Sequence, residues 1–462
     1  MDKPDVLDRD RQETGRRSLT GGATFARRVA PSLAGLVAFA IVAGLFLSGE
    51  HSAYHRLLTL WGIVPFRFPF VDLSGSLAAW DCARKGVDVI VSDPCDVLKR
   101  GYTYSPFWMS IDWIPLSQPD RNWVGLALGA AFLVSLCALP PPLSPAETAV
   151  RIAAVLSTMV TFAIERANPD LLIFLLLLGA LALLPRSAIA KALGYGLIFL
   201  AGAIKYYPFV LLGLVARERL RLAIPIAIAS LAALAAFYSI YASQIHEGLP
   251  YIAKGIAFGD MFGAQNLPVG MSMVFQRADA LPMDPIQAML AVMALVGATA
   301  LWAMIKLSQA GDIPAALCRV DEARRLALVA GALLLVGCFF AGQNVPYRGV
   351  FLFFVVPGLS ALARDRDAGA VASASRLALI SIPLFMWAEA IRLWLHLAIA
   401  GTYPPEGFRT ILTLQQPWDL LIWFGREVGW WVFIGFLATI VISDLVVRPL
   451  RNGLRLSLQP KA

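Results

Sequence analysis

Residues 165–184 read ERANPDLLIFLLLLGALALL. A polar turn leads directly into a run of apolar residues, and Leu171–Leu184 carries no charge at all. Such a run is typical of a helix inside a lipid bilayer, where about 20 apolar residues cross roughly 30 Å of hydrocarbon. The turn supplies four polar side chains to one end of that helix: Glu165, Arg166, Asn168 and Asp170.

The composition extends this interpretation to the whole chain. Of 462 residues, 58% are hydrophobic and 15% charged, whereas a soluble domain carries about 25% charged residues. The mean hydropathy is +0.68. The net charge of +8 does not indicate a nucleic-acid partner, because the basic residues collect in short segments between apolar runs. That distribution is the one that orients a protein in a lipid bilayer.

The apolar runs predict an all-α polytopic membrane protein with about twelve transmembrane helices. The stretch 188–216 is basic at both ends and is interrupted at Lys205–Pro208. As one helix it would be about 43 Å long, so we expect two short helices that form a hairpin. The other predicted spans lie near 29–48, 122–139, 148–164, 168–184, 221–242, 286–307, 325–342, 348–363, 376–399 and 428–447.

The positions of lysine and arginine predict an inner (plasma) membrane protein with both termini in the cytoplasm. The first apolar run is too long for a cleavable signal peptide and is interpreted as a retained span. We expect a basic tail, a single transmembrane domain with two large outer loops, and a second tail. Their predicted ranges are 1–28, 29–447 (with loops 49–121 and 243–285) and 448–462.

Two of the five cysteines, Cys82 and Cys95, share the first outer loop. An oxidising compartment permits a disulfide between them. Two Asp-Arg-Asp motifs, at 8–10 and 365–367, resemble metal-binding motifs of nucleotide-sugar transferases. Both fall in short segments that are predicted to be cytoplasmic, so no metal site is expected.

Unusual polar residues cluster at the predicted outer ends of the spans. Charges at the bilayer centre cost about 2.5–3.5 kcal/mol each on insertion scales, so their placement is informative. The pattern favours a cavity that opens outward over a proton relay at the membrane midplane. The members are Asp72, Glu165, Arg166, Asn168, Asp170, Lys205, Gln265, Asn266, Asn344 and Arg348.

Asp72 is the candidate catalytic base, because it follows an aromatic and proline segment soon after the first span. It could instead only cap the following stretch, Leu73–Lys85, which we expect to form an interfacial helix. Asp81 falls on the opposite side of that helix, so a carboxylate pair is not expected. The aromatic stretch Tyr102–Trp108 indicates an anchor at the membrane surface for a second interfacial helix.

Four segments, taken in order, resemble lipid-linked-sugar glycosyltransferases of the GT-C superfamily, specifically glycosyltransferase family 87. The resemblance covers roughly residues 65–363. Ala167 and Pro169 depart from the glycine and the non-proline residue that are usual in the second segment. The segments are Phe70–Asp72 with Ala83–Val89 and Tyr102–Pro106, then Glu165–Phe174, Ala203–Pro208 and Asn344–Arg348.

The resemblance implies an inverting hexosyltransferase that moves a sugar such as mannose from a polyprenyl-phosphate carrier. The acceptor would be an outer hydroxyl of a glycolipid, glycan or protein, and the lipid-linked sugar is a co-substrate. Asp72 matches the family's acidic residue, the general base. Lys205 and Arg348 are candidates to bind the donor phosphate, unless they only extend toward water from helix ends.

The other polar residues have less defined roles. The Glu165–Asp170 turn forms either an ion-pair network or a sugar contact, and Gln265, Asn266 and Asn344 are candidate sugar partners. A transporter or flippase of lipid-linked saccharide is one alternative function, but it would require midplane charges and an inward cavity. An O-antigen polymerase or ligase is another, although such enzymes carry their large loop late in the chain.

Overall fold

The computed structural model describes residues 6–90, 92–251, 258–259, 261–277, 285–401 and 416–449. These residues form helices and no β-strand, apart from one antiparallel bridge between Phe262 and Asn344. Predicted features that fall on residues 1–5, on 450–462, or on parts of the loops near 252–284 and 402–415 lie outside the described residues.

The described part of the chain contains seventeen α-helices. The first eight are α1 (Val6–Leu47), α2 (His51–Leu60), α3 (Val71–Ala83), α4 (Arg121–Ser135), α5 (Pro145–Val155), α6 (Thr158–Arg166), α7 (Pro169–Leu183) and α8 (Ala188–Ile204). The next five are α9 (Leu220–Gly248), α10 (Asn266–Arg277), α11 (Pro285–Ala310), α12 (Ile313–Arg319) and α13 (Glu322–Ala341). The last four are α14 (Leu352–Arg364), α15 (Gly369–Met386), α16 (Ala388–Ala400) and α17 (Pro417–Ile442).

Short 3₁₀ helices connect several of these elements and one π-helical turn follows α17. The 3₁₀ segments that matter for the site are Pro106–Ile111, Tyr207–Arg217 and Pro346–Phe351. The last of these runs directly into α14, and the second follows α8 after a two-residue break.

Eight helices in the described ranges are long and apolar enough to cross a membrane, or nine if the bent pair α5 and α6 counts as one span. The chain is therefore an all-α, multi-pass membrane protein. The remaining predicted spans, 168–184 and the two halves of 188–216, correspond to shorter apolar helices: α7, α8 and Tyr207–Arg217.

Two predicted spans are interrupted in the structure, and the predicted tail 1–28 is helical from Val6 and continuous with the first span in α1. The span 148–164 bends by 45° where Ser157 caps a new helix. The span 376–399 divides at Trp387 into α15 and α16.

The helix α3 lies where an interfacial helix was expected, but it is not amphipathic. Most of its side chains are buried, including Val71, Leu77 and Trp80. Its small residues let it pack inside the protein. The prediction of an amphipathic helix here was therefore wrong.

The centre of the bundle is an aromatic and aliphatic core that fixes α7 against α14. Phe174 stacks on Phe354 with ring centroids 4.5 Å apart, and Phe132 meets Phe174 edge-on at 5.0 Å. Asp170 lies in the first turn of α7, and Arg348, which pairs with it, lies in the 3₁₀ helix that leads into α14. Packing in the core thus determines where those polar residues stand.

The loop after α3 is tied back to that helix by a disulfide. Cys82 in α3 and Cys95 are bonded, with their Cα atoms 5.8 Å apart. The loop also contains Asp93, whose carboxylate accepts from the backbone N–H of Cys95 at 2.9 Å. Burial raises the pKa of Asp93 above its usual value.

Candidate functional site

The turn between α6 and α7 is built from consecutive helix-capping residues. Ala167 ends α6 in the left-handed region, at φ 44° and ψ 49°, where glycine is usual. Asn168 then caps α7 by accepting from the backbone N–H of Asp170 at 3.0 Å. Pro169 takes the first helical position, which its fixed φ suits. This tight turn leaves Asn168 and Asp170 fully buried.

Asp170 is the centre of a buried ion cluster. One carboxylate oxygen accepts from Lys205 Nζ at 2.7 Å and from the Tyr207 hydroxyl at 3.0 Å. The other oxygen pairs with the guanidinium of Arg348. A buried carboxylate is tolerated only where such partners compensate its desolvation. The interrupted hairpin after α8 and the segment before α14 therefore meet on one side chain of α7.

Asp72 joins the same cluster through Asn168. The Asn168 amide Nδ2 donates to Asp72 Oδ2 at 2.7 Å, and its Oδ1 accepts from Lys205 Nζ at 3.2 Å. The Asp72 side chain remains 11% exposed. Two hydrogen bonds through one side chain thus connect the predicted base with the predicted cation.

Asp72 does not cap α3. The residue at that position is Phe70, which has a left-handed backbone at φ 62° and offers no side-chain acceptor. Its backbone N–H donates to the carbonyl of Glu165 at 2.6 Å, which holds the start of α3 against the end of α6. The carboxylate of Asp72 instead contacts Asn168 and Arg100.

Arg100 was missed by the sequence reasoning. Its guanidinium lies 3.9 Å from Asp72 Oδ1, bonds Asp96 at 2.8 Å and donates to the carbonyl of Val71 at 3.0 Å. Burial opposes its charge, but the hydrogen bond and charge of Asp96, with the charge of Asp72, raise the pKa of Arg100. Its side chain is 40% exposed, so it is the most accessible cation of the cluster. The sequence could have indicated Arg100, because it lies two residues before the aromatic segment that begins at Tyr102.

Three tyrosines surround the cations. Lys205 Nζ lies 5.2 Å from the ring centre of Tyr104 and 5.9 Å from that of Tyr347, and Arg348 lies 3.9 Å from that of Tyr207. Burial, with the charges of Asp72 and Asp170, raises the pKa of Tyr104 well above its usual value. Its phenol therefore stays neutral and does not compete with Asp72 as a base.

The expectation that Tyr102–Trp108 only anchors an interfacial helix was therefore wrong for Tyr104. Trp108 is also buried, and its carbonyl accepts from Trp80 Nε1 at 2.6 Å. This contact holds the 3₁₀ helix Pro106–Ile111 on α3. Aromatic residues of this stretch pack inside the protein. The amino-acid composition of the stretch did not distinguish such packing from an anchor at the membrane surface.

Glu165 and Arg166 form a neighbouring pair outside the ion cluster. Their side chains lie 3.0 Å apart, and Arg166 also donates to the carbonyl of Val64 at 3.0 Å. The Arg166 guanidinium covers the ring of Phe66 at 4.1 Å. These contacts attach the segment before α3 to the end of α6, as the ion-pair interpretation of this turn expected.

The remaining candidates lie at different distances from the cluster. Asn344 belongs to it, because its Oδ1 accepts from Arg348 at 2.9 Å while its backbone pairs with Phe262. Gln265 is exposed and Asn266 is buried against Glu427. Among the described contacts, none joins Gln265 or Asn266 to Asp72 or Asp170.

A second buried ionic network was not predicted. Arg392 in α16 forms two bonds with Asp419, at 2.7 and 2.8 Å, and a third with Glu389 at 2.9 Å. Arg426 in α17 shares Glu389 at 2.8 Å. Glu389 and Arg392 lie within the predicted span 376–399. Mutual pairing across two helices makes their burial tolerable.

The opposite end of the bundle carries a different set of charges. Lys191 pairs with Glu218, while Arg217 binds Glu322 at 2.9 Å and Asp444 at 3.1 Å.

In the described part of the chain, one group of side chains has metal-ligand spacing: Cys82, Asp93 and Cys95. The disulfide occupies both sulfur atoms, so we assign no metal there.

The cluster combines a partly exposed carboxylate with cations that ion pairs hold in place. Such a site can accept a proton from a hydroxyl at Asp72 and stabilise an anion beside Lys205 and Arg100. The neutral tyrosines add hydroxyl donors.

Comparison of the chain with protein-family models, with curated proteins and with solved structures finds no match in any of the three.

Proposed function

We propose that the protein is a membrane glycosyltransferase that moves a hexose from a polyprenyl-phosphate donor to an acceptor hydroxyl. The observation that carries the proposal is the connection of Asp72 to Lys205 through Asn168, at 2.7 and 3.2 Å. One side chain, Asn168, thereby positions both a base and an anion-binding cation. The resemblance to glycosyltransferase family 87 rests on the same residues.

In the proposed reaction, Asp72 takes the proton of the acceptor hydroxyl as its oxygen bonds to the anomeric carbon. The bond from that carbon to the phosphate oxygen breaks, and its electron pair leaves with the phosphate. Attack from the face opposite the phosphate inverts the anomeric configuration. Lipid phosphate is a good leaving group, so cationic stabilisation is enough and no acid is required.

We assign the phosphate contact to Lys205 and Arg100, whose side chains are 16% and 40% exposed. Arg348 contributes its charge from behind Asp170, because it is buried and bonded to Asp170 and Asn344. Asp170 holds Lys205 and Arg348 in place. Removing one such donor from a charge-stabilising site costs about 10²- to 10³-fold in rate.

A mostly apolar groove beside the cluster suits the donor's isoprenoid chain. It runs along α1 past Ala38, Val42 and Phe46 and ends at Phe70 and Glu165. Phe70 is two residues from Asp72, so a lipid in this groove would bring its head group to the ion cluster. Neighbouring residues of α1 such as Ile41 are exposed, as expected for a helix in contact with lipid.

We place the site on the extracytoplasmic side of the membrane. A disulfide between Cys82 and Cys95 belongs to an oxidising compartment, and it lies in the loop that carries Arg100. The basic residues near Lys191 and Arg217, at the opposite end of the bundle, then face the cytoplasm.

The proposal predicts that purified protein in nanodiscs transfers radiolabelled hexose from one of several polyprenyl-phosphate sugars to a membrane-extract acceptor. Lys205→Met should reduce the transfer rate by about 10²-fold because the leaving phosphate loses a cation. The matched control is Lys191→Met, at the opposite end of the bundle, which should transfer at the wild-type rate. The measurement is label recovered in product by chromatography.

Two outcomes would contradict the proposal. The first is release of no label from any donor by folded wild-type protein. The second is movement of intact lipid-linked sugar across sealed vesicles with no new glycosidic bond, which would support a flippase instead. Chain extension of a polymeric acceptor would keep the chemistry but favour a polymerase or ligase.

A further inference from the structure

A second cavity adjoins the ion cluster at Tyr104, which lines the cavity and whose ring contacts Lys205. We name it the α9 cleft, because it is formed between the loop after α3 and the end of α9. Its volume is about 320 Å³, within the roughly 300–1,000 Å³ of small-molecule sites. The polar residues that line it are Asp88, Tyr102, Thr103, Tyr104, Tyr206, Gln244 and Glu247.

The walls of the α9 cleft are held in place before any ligand binds. The Ser110 and Tyr241 hydroxyl oxygens are 2.5 Å apart and join the loop to α9. The backbone N–H of Tyr102 donates to the carbonyl of Val89 at 2.8 Å across the loop. The Cys82–Cys95 disulfide fixes the start of the same loop. A site that is already ordered loses less entropy when it binds.

The chemistry of the lining favours a neutral ligand with many hydroxyl groups. Asp88 and Glu247 offer carboxylates, which accept strong hydrogen bonds from hydroxyls. Gln244 offers both a donor and an acceptor, and the tyrosines offer flat apolar faces with a polar tip. Among the described lining residues there is no lysine or arginine, so a phosphate group would be repelled.

We propose that the α9 cleft binds the acceptor and that the acceptor is a carbohydrate, an inference that rests on the proposed glycosyl transfer. Tyr104 lines the cleft and also contacts Lys205, so this side chain is common to both sites. A glycan held by Glu247 and Gln244 would present a hydroxyl past Tyr104 to Asp72. Donor and acceptor then approach Asp72 from different sides.

The test measures binding directly. Saturation-transfer NMR on the full-length protein in nanodiscs is run with methyl α-mannoside, methyl α-glucoside and methyl β-galactoside. At least one should bind the wild type, and the double variant Glu247→Gln/Gln244→Ala should bind it about tenfold or more weakly through loss of hydrogen bonds to a charged group. The control is Glu50→Gln, an exposed glutamate outside the cleft, which should bind like wild type.

The outcomes separate this inference from the proposed function. Equal glycoside binding by the cleft variant and wild type, or binding of tetralysine in place of all three glycosides, would overturn the inference even if sugar transfer occurs. Hydrolysis of the lipid-linked donor by water is measured on the wild type in parallel. If hydrolysis and transfer are both absent while glycoside binding depends on Glu247 and Gln244, the proposed function fails and the carbohydrate site remains.

Discussion

Asp72→Asn should reduce sugar transfer by about 10²- to 10⁴-fold, the contribution of a positioned general base. Asparagine has nearly the same shape and can keep a hydrogen bond to Asn168, but it cannot accept the proton of the acceptor hydroxyl. The loss should therefore appear in kcat, with a smaller change in KM for the donor. Initial rates with labelled polyprenyl-phosphate sugar measure it.

The matched control for this variant is Asp81→Asn on the same helix. Asp81 accepts from the backbone of Gln118 at 3.1 Å and pairs with Arg84, both away from the ion cluster. It should retain near-wild-type transfer. Equal rates for Asp72→Asn and wild type would remove Asp72 from the mechanism and leave the ion cluster with a structural role only.

Asp170→Asn should lower the free energy of unfolding by about 3–5 kcal/mol, because Lys205 and Arg348 would be left buried without their shared counter-charge. Thermal unfolding of the purified protein, followed by loss of the monodisperse gel-filtration peak, measures the change. The double variant Asp170→Asn/Lys205→Met should recover part of the loss, since it removes one of the two unpaired charges.

The control for this effect is Glu322→Gln at the opposite end of the bundle. Glu322 pairs with Arg217 and Arg325, but its side chain is 52% exposed, so its removal should cost about 0–1 kcal/mol. If Asp170→Asn unfolds at the same temperature as Glu322→Gln, the charges around Asp170 are not buried as the structure places them.

Much of the fold could be predicted from hydropathy, because the bilayer requires long apolar helices. The hairpin at Lys205 followed from its basic flanks, and the structure has the expected break between α8 and Tyr207–Arg217. Hydropathy did not reveal that the predicted span 376–399 divides at Trp387. A break inside an apolar run depends on what packs against it, here α2 and α17.

The site could be predicted in part, because polar residues next to apolar runs are few and costly. Asp72, Asn168, Asp170, Lys205, Asn344 and Arg348 lie together in the structure. Arg100 and Tyr104 were not selected as site residues. A polar residue in a loop does not carry the free-energy cost of burial in the bilayer, and the residues that it contacts depend on how the loop folds. Gln265 and Asn266 were selected as polar residues of the predicted outer loop, and the described contacts do not bring them to Asp72.

The most direct measurement is a cryo-electron microscopy map of the protein with a non-cleavable polyprenyl phosphonate sugar. We expect the isoprenoid chain in the groove along α1, phosphonate oxygens within hydrogen-bond distance of Lys205 or Arg100, and the anomeric carbon facing Asp72. Density for the phosphonate at the opposite end of the bundle, beside Lys191 and Arg217, would contradict the assignment of this ion cluster as the place of sugar transfer.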